Sequence, residues 1–363
     1  MLFYWILFII VAYFAFFSSS KNKEKVYYFL FFILFFLGST RAKTVGTDIK
    51  GYSAEFYFIM MNPHTWGQVM GQFELGFAFF MAFFKTYICS EPIYFFHVVF
   101  AITFILCCRI IKRYSIDPSL TLFFLLGMAY YFSFFNTMRQ HFCFAIICSF
   151  LPWVIEKKKY LNFALLTILV SYFFHKSQII LLLFIPVVLY YKKKIFSSKN
   201  MIVYLLASSI IGILFSEVIL QKMGFLASFY ENGNSNYSGY LTYEDNIGLY
   251  SNTSNIINTL FAIYIVITHR FEKSIFLVIY VIGILLLNLL TPISWIFMRI
   301  AFTFMYFRIF TYTYLWYKIP NKYEKYLYRF LVIAYSIFMY NNRLVNDHYE
   351  DVVPYINHYI SQL

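Results

Sequence analysis

Charge is scarce in this sequence. Only 12% of the 363 residues are Asp, Glu, Lys or Arg, against about a quarter in a soluble domain. With 61% hydrophobic residues, that shortage excludes an ordinary water-soluble globule. Strands that alternate polar and apolar side chains are also missing, which argues against an outer-membrane barrel. The five cysteines, Cys89, Cys107, Cys108, Cys143 and Cys148, form no metal-ligand spacing. Most lie in apolar runs, where a buried thiol acts as a small apolar side chain. There is no DxD pair, HExxH, Walker loop or GxSxG, so the common metal, nucleotide and esterase signatures are lacking. The N-terminus, "MLFYWILFIIVAYFAFF", has neither a basic n-region nor a small-residue cleavage site. It reads as a retained first helix.

What the sequence does have is apolar runs of roughly 15 to 20 residues, repeated from end to end. They fall near 2–19, 26–39, 93–110, 119–136, 140–156, 160–174, 177–191, 201–220, 255–268, 274–291, 295–317 and 326–342. The expected fold is therefore all-α, a polytopic integral membrane protein with about 12 transmembrane helices forming a single membrane-embedded domain over 1–363. A further apolar piece, 73–88, is interrupted by Glu74, Gly76 and Lys85. It reads as a re-entrant or interfacial segment. No internal repeat is visible.

The net charge of +13 reports topology rather than nucleic-acid binding, because the cations concentrate in short loops. "KNKEK" (21–25), "RIIKRY" (109–114), "EKKK" (156–159), "KKK" (192–194), "HRFEK" (269–273) and "YKIPNKYEK" (317–325) all belong on the cytoplasmic side by the positive-inside rule. Parity then puts both termini outside, with loops 40–72 and 221–254 and the tail 343–363. Loop 221–254 is rich in Tyr, Asn, Ser and Gly. It suits stacking on sugar rings or simply a flexible connection.

Between two cytoplasmic lysine runs, 160–191 must be a hairpin. Its arms of about 15 residues reach roughly 22 Å, short of a hydrocarbon core of roughly 30 Å. The tip, "FFHKSQ", carries His175 and Lys176 at a depth where charge needs a wet or paired cavity. Other cations also fall on the outer side, against the charge rule: Arg139 with Gln140 at the start of one helix, Arg299 one turn into another, and Arg41 beside Asp48 after a third. An anionic ligand at the outer membrane face would account for them. Each has a plainer reading as well. Arg139 could snorkel and Arg41 could anchor at the interface. His175 could be a satisfied core histidine. Glu74 could stabilise a helix N-terminus, and Asp48 could cap one.

Taken in order, "TRAKTVGTDIKGY", "FELGF", "MRQHFCFAI", "FFHKSQIILLLFIP", "FMRIAFTFMYF" and "VVPYI" resemble the EpsG family, within the broader group of Wzy-type polysaccharide polymerases. Leu75 departs from the family's usual proline after the glutamate. The resemblance implies a membrane glycosyltransferase that joins oligosaccharide repeat units carried on undecaprenyl pyrophosphate, at the outer face of the bacterial cytoplasmic membrane. The product would be O-antigen, capsule or exopolysaccharide. The implied partners are the lipid-linked donor and acceptor, the bilayer, and chain-length regulator and flippase proteins. No nucleic acid, metal or cofactor is implied. Under this resemblance, Arg139 and Arg299 would hold the donor pyrophosphate, with Lys176, Arg41 and Gln140 in support. His175, Glu74 and Asp48 would be the candidates for handling the acceptor proton. A flippase for lipid-linked sugar, an O-antigen ligase and a membrane O-acyltransferase are the competing readings.

The topology is testable in a background lacking the native cysteines. Cysteines at positions 157 and 193 should be shielded from an impermeant thiol reagent in intact, outer-membrane-permeabilised cells, and one at 235 should label. External labelling at 157 or 193 would overturn the parity.

Overall fold

Runs of Phe, Leu, Ile and Tyr with few internal breakers form helices here, and the breaks fall at polar or conformationally special residues. The computed structural model describes residues 1–59, 61, 73–214, 250–269, 274–291, 298–345 and 352–360. Among them there is no strand, only an isolated antiparallel bridge between Arg41 and Asn357. The helices are α1 (Leu2–Phe17), α2 (Lys23–Ser39), α3 (Ile49–Phe58), α4 (Leu75–Tyr87), α5 (Pro92–Tyr114), α6 (Pro118–Gly127), α7 (Tyr130–Asn136), α8 (Met138–Ser149), α9 (Leu151–Ile155) and α10 (Tyr160–Phe174). They continue with α11 (Phe184–Tyr190), α12 (Ser198–Leu214), α13 (Tyr250–Thr268), α14 (Ile275–Leu290), α15 (Met298–Met305), α16 (Arg308–Lys318) and α17 (Lys322–Val345).

The all-helical expectation holds, and the twelve spans are not confirmed among the described residues. Among the described residues, α5 and the continuous stretch Met138–Ile155 are long and apolar enough to cross a membrane. A third candidate is the pair α6 and α7, bent by 62°. Ala129 lies in the left-handed region at φ 61°, which ends α6 and restarts the chain as α7. The run 177–191 divides into a 3-10 helix, Lys176–Leu183, and α11. The run 295–317 divides between Met305 and Arg308 into α15 and α16, its first residues lying outside those described. Most of the other apolar runs form helices of 10 to 17 residues, while 326–342 lies within the 24-residue α17. The interrupted piece 73–88 is realised as α4, whose 13 residues reach roughly 20 Å. Loop 40–72 contains α3, and α17 runs through Val345 before the tail. Residues 221–249 of the expected sugar-facing loop lie outside the described residues.

The described chain divides into two compact units, Met1–Ile179 with Tyr312–Leu363, and Ile180–Thr311. The first unit has two poles. At one, loops assigned by charge to the same side of the membrane meet. Lys23 contacts the fully buried Asp117 at 2.7 Å, Lys112 contacts Glu24 at 3.0 Å, and Arg113 pairs with Glu156. Asp117 also accepts the Tyr317 hydroxyl and caps α6 through the amides of Ser119 and Leu120. At the other pole, the segments assigned outside meet. The Ala42 amide donates to the Ile356 carbonyl at 2.8 Å, the Thr47 amide to Asn136 at 2.7 Å, and the Tyr4 hydroxyl to the Val352 carbonyl at 2.6 Å. The 23 residues of α5 carry the chain between the poles over roughly 34 Å.

In the second unit, α12, α13 and α14 share a buried polar link. Thr259 donates to Asn288 Oδ1, and Asn288 Nδ2 donates to the Ser208 hydroxyl, each at 3.0 Å. Such links join helices where apolar association gains little from a lipid environment. Beside it, α14 and α15 approach through Gly283. A Cβ there would stand 2.7 Å from the Met305 backbone nitrogen, closer than real Cβ atoms come. Overpacking of this kind costs about 1–3 kcal/mol. Gly283→Val should therefore lower the thermal midpoint in detergent by several degrees, and an unchanged midpoint would mean that the two helices do not meet there.

Candidate functional site

The site grows from the start of α4. Gly76 lies against the backbone of Phe173, where a Cβ would meet the Phe173 carbonyl oxygen at 2.8 Å. Only glycine allows α4 to press so closely on the end of α10. That approach brings Glu74, the residue before α4, to His175, the residue after α10. The His175 backbone is extended, with φ −165°, and this ends α10. The Lys176 amide that follows donates to Glu74 Oε1 at 3.2 Å. His175 Nδ1 lies 3.5 Å from the same oxygen, at the outer limit of hydrogen bonding.

The other carboxylate oxygen is taken by Arg139. Its Nη1 donates to Glu74 Oε2 at 2.8 Å, and its Nε donates to the Tyr52 hydroxyl at 3.1 Å. The guanidinium lies over the Phe73 ring at 4.5 Å, and Phe73 stacks on Tyr52. Arg139 is thus fixed on three sides by a carboxylate, a hydroxyl and a ring face. Beneath it, Tyr52, Phe77, Phe96, Met138 and Phe142 belong to one continuous apolar core. Lys85, the cation that interrupts the apolar piece, is spent on structure. It donates to the carbonyls of Tyr57 and Ile59 at the end of α3, where a cation suits unpaired carbonyls.

The electrostatics follow from this geometry. Burial alone would raise the Glu74 pKa, but the neighbouring His175 ring and the Arg139 guanidinium outweigh it and bring it down to about 2. The carboxylate is therefore ionised at neutral pH. The His175 and Arg139 side chains are about one-fifth exposed, 22% and 19%. Lys176 is exposed.

The eight residues proposed from sequence separate into groups. Glu74, Arg139, His175 and the Lys176 backbone come together. Gln140 follows Arg139 on α8 and is buried. Asp48 stands at the start of α3, half-buried, one helical turn before Tyr52, and its side chain makes no capping bond. Arg299 is half-buried on α15 in the second unit.

Arg41 is fully buried. Its Nη1 donates to the Gly38 carbonyl at the end of α2 at 2.7 Å, and its guanidinium lies over the rings of Phe135 and Phe100. A helix C-terminus and two ring faces meet its charge. Burial pushes its pKa down to about 10, still above neutrality. Sequence reasoning passed over Tyr52 and Phe73, which hold Arg139. Their signal was weak: an aromatic one turn after Asp48, and another directly before Glu74. It also passed over Arg308, fully buried at the start of α16.

The family model described as the EpsG family matches residues 24–357, nearly the whole chain. The chain belongs to the EpsG family. The EpsG family is associated with Wzy-type polymerases, and with the apolar helices this makes the chain a membrane protein. No curated protein and no solved structure matches it.

The carboxylate is where acid sensitivity should appear. A group whose folded pKa is depressed contributes stability above its unfolded pKa, and that contribution fades as the pH falls through the folded value. For Glu74 the window runs from about 4.5 down to about 2, and is worth at most about 3 kcal/mol. Wild type should lose thermal stability across this window. Glu74→Gln should start less stable and lack that part of the acid slope. Identical slopes in the two proteins would refute the ion pair.

Proposed function

We propose that this protein is a membrane polymerase that joins lipid-linked oligosaccharide units into a surface polysaccharide. On this reading it is a glycosyltransferase working on undecaprenyl-pyrophosphate-linked donor and acceptor at the outer face of the cytoplasmic membrane. The single observation that carries the reading is the fixed cation. Arg139 is held by Glu74, Tyr52 and Phe73 at the pole opposite the paired basic loops. Its side chain is partly exposed, and the exposed Lys176 is near in sequence and structure to the same carboxylate. A guanidinium held this way suits a phosphate anion. A lipid-linked pyrophosphate has its tail in the bilayer and its head at this level.

The reaction needs charge stabilisation more than strong activation. The acceptor hydroxyl oxygen attacks the anomeric carbon of the donor chain. The bond from that carbon to the pyrophosphate oxygen breaks, and the electron pair leaves on the phosphate. Arg139 faces that developing charge. The hydroxyl proton goes to His175, whose Nδ1 edge turns towards Glu74 and leaves Nε2 for the acceptor. Glu74 then orients the imidazole and stabilises it once protonated, the part a carboxylate plays beside a catalytic histidine. Asp48 is the remaining acidic candidate near the α3 end of the site. Lys176 adds positive charge for the second phosphate on this reading, and Gln140 supports Arg139. Arg299, on the second unit, is proposed from the sequence alone as a cation for donor phosphate.

Deleting the gene and resolving surface glycan on a gel separates the classes. A single capped repeat unit supports the polymerase. Loss of exported units would indicate a flippase, and polymer lacking its anchor a ligase. Arg139→Ala should abolish long chains while the protein still inserts, and Lys should restore little, because a point charge does not replace the fork. Arg299→Ala should shorten or abolish chains too. His175→Gln should cost roughly two to four orders of magnitude in rate. Polymerisation within about ten-fold of wild type in His175→Gln would remove the base assignment.

A further inference from the structure

Directly beside the polar site lies a groove of about 610 Å³ with an entirely apolar set of lining residues. Its walls are Leu75, Gly76, Phe79 and Phe83 along one face of α4, Phe173 and Phe174 at the end of α10, and Phe142 on α8. All belong to the first unit. The lining is continuous with the charged site at three points. Leu75 and Gly76 follow Glu74, Phe173 and Phe174 precede His175, and Phe142 is three residues after Arg139, on the neighbouring turn of its helix. The volume lies within the roughly 300–1,000 Å³ of ligand pockets. Phe79 and Phe83 are 45% and 40% exposed and stack on one another along the groove, while Phe80, which also lines it, stacks on Phe142.

An apolar slot that ends at a fixed guanidinium fits a ligand that is hydrocarbon at one end and anionic at the other. We infer that this groove holds the head-proximal isoprene units of a polyprenyl pyrophosphate, with the pyrophosphate at Arg139 and His175. The inference rests on the polymerase reading for the identity of the lipid. It adds a second recognition element, distinct from the cations, contributed by α4 and the end of α10. Methyl-branched isoprene units are broader than a straight acyl chain and fill a slot walled by ring faces better. The aromatic walls also exclude water from the side of the leaving group, which strengthens its contact with Arg139. Gly76 has a part in this as well. The approach of α4 to the Phe173 backbone sets the floor of the groove and joins Glu74 to His175, so tail and head sites share one packing contact.

The test uses the full chain in phospholipid nanodiscs, and the probe is sugar-free undecaprenyl pyrophosphate bearing a diazirine on its first isoprene units. After irradiation and digestion, adducts are expected on 75–83 and 173–174. Unlabelled undecaprenyl pyrophosphate should displace them, and undecaprenol should compete at least ten-fold less well. Adducts spread over lipid-facing positions such as Leu165, Leu169 and Ile210, or displaced equally by added phospholipid, would overturn the inference and make the groove ordinary lipid-facing surface. A double variant, Phe79→Ala with Phe83→Ala, should raise KM for a lipid-linked donor about ten-fold with kcat nearly unchanged, the mark of lost uniform binding. An unchanged KM would count against the groove. The two readings fail separately. Polymer formation without groove labelling removes the tail site and leaves the polymerase. Groove labelling without polymer formation from lipid-linked units removes the polymerase and leaves a polyprenyl pyrophosphate site.

Discussion

One carboxylate organises the pole of the first unit opposite the paired basic loops. Glu74 gives one oxygen to Arg139 and the other to the turn that begins at His175. Three segments far apart in sequence meet on that group: the start of α4, the start of α8 and the end of α10. The buried carboxylate would not be comfortable alone, since an unpaired ion in a low-dielectric setting is costly. Paired with Arg139, Glu74 stays a carboxylate, and the Arg139 edge remains partly exposed. The close packing of Gly76 on Phe173 is the steric condition for the pairing, because a larger residue would push Glu74 away from the turn.

The two poles treat charge differently. The basic pole is built from pairs between loops, Lys23 with Asp117, Lys112 with Glu24, and Arg113 with Glu156. Tyr317 closes the first of these over Asp117. The side chain of Glu156, itself largely solvent-accessible, has its pKa lowered by its hydrogen bonds with Arg113. That end is locked by opposite charges. The opposite pole holds a cation-rich arrangement in which one carboxylate orients and a second cation, Arg41, is buried behind aromatic rings. Arg41 fastens the end of α2 to Met138 and to the segment 356–358 through its backbone neighbours. In Met138 it reaches the residue directly before Arg139.

Much of this was legible in the sequence. The scarcity of charge and the apolar runs determined an all-helical membrane protein, because a chain with so little polar surface must satisfy its backbone within helices. The placing of lysines and arginines predicted which loops lie together, and the first unit's ion pairs join loops that this rule had put on one side. Glu74, Arg139, His175 and Lys176 stood out individually, as polar groups interrupting apolar runs, and the quoted motifs carried the family resemblance that the matched family model bears out.

Only the tertiary structure decided how those residues divide the work. That Glu74 binds Arg139 and turns to His175, that Tyr52 and Phe73 hold the guanidinium, and that Arg41 is sealed inside are facts of long-range packing. No local spacing encodes them, since 65 residues separate Glu74 from Arg139 and 87 separate Tyr52 from it. The span count is not confirmed for a related reason. Hydropathy sums apolar content over a window and does not sense a single backbone reversal. The left-handed Ala129 and the break between Met305 and Arg308 therefore split runs that read as continuous. Composition determined the solvent in which this chain folds. The fit of one glycine against a neighbouring backbone decided where its charges meet.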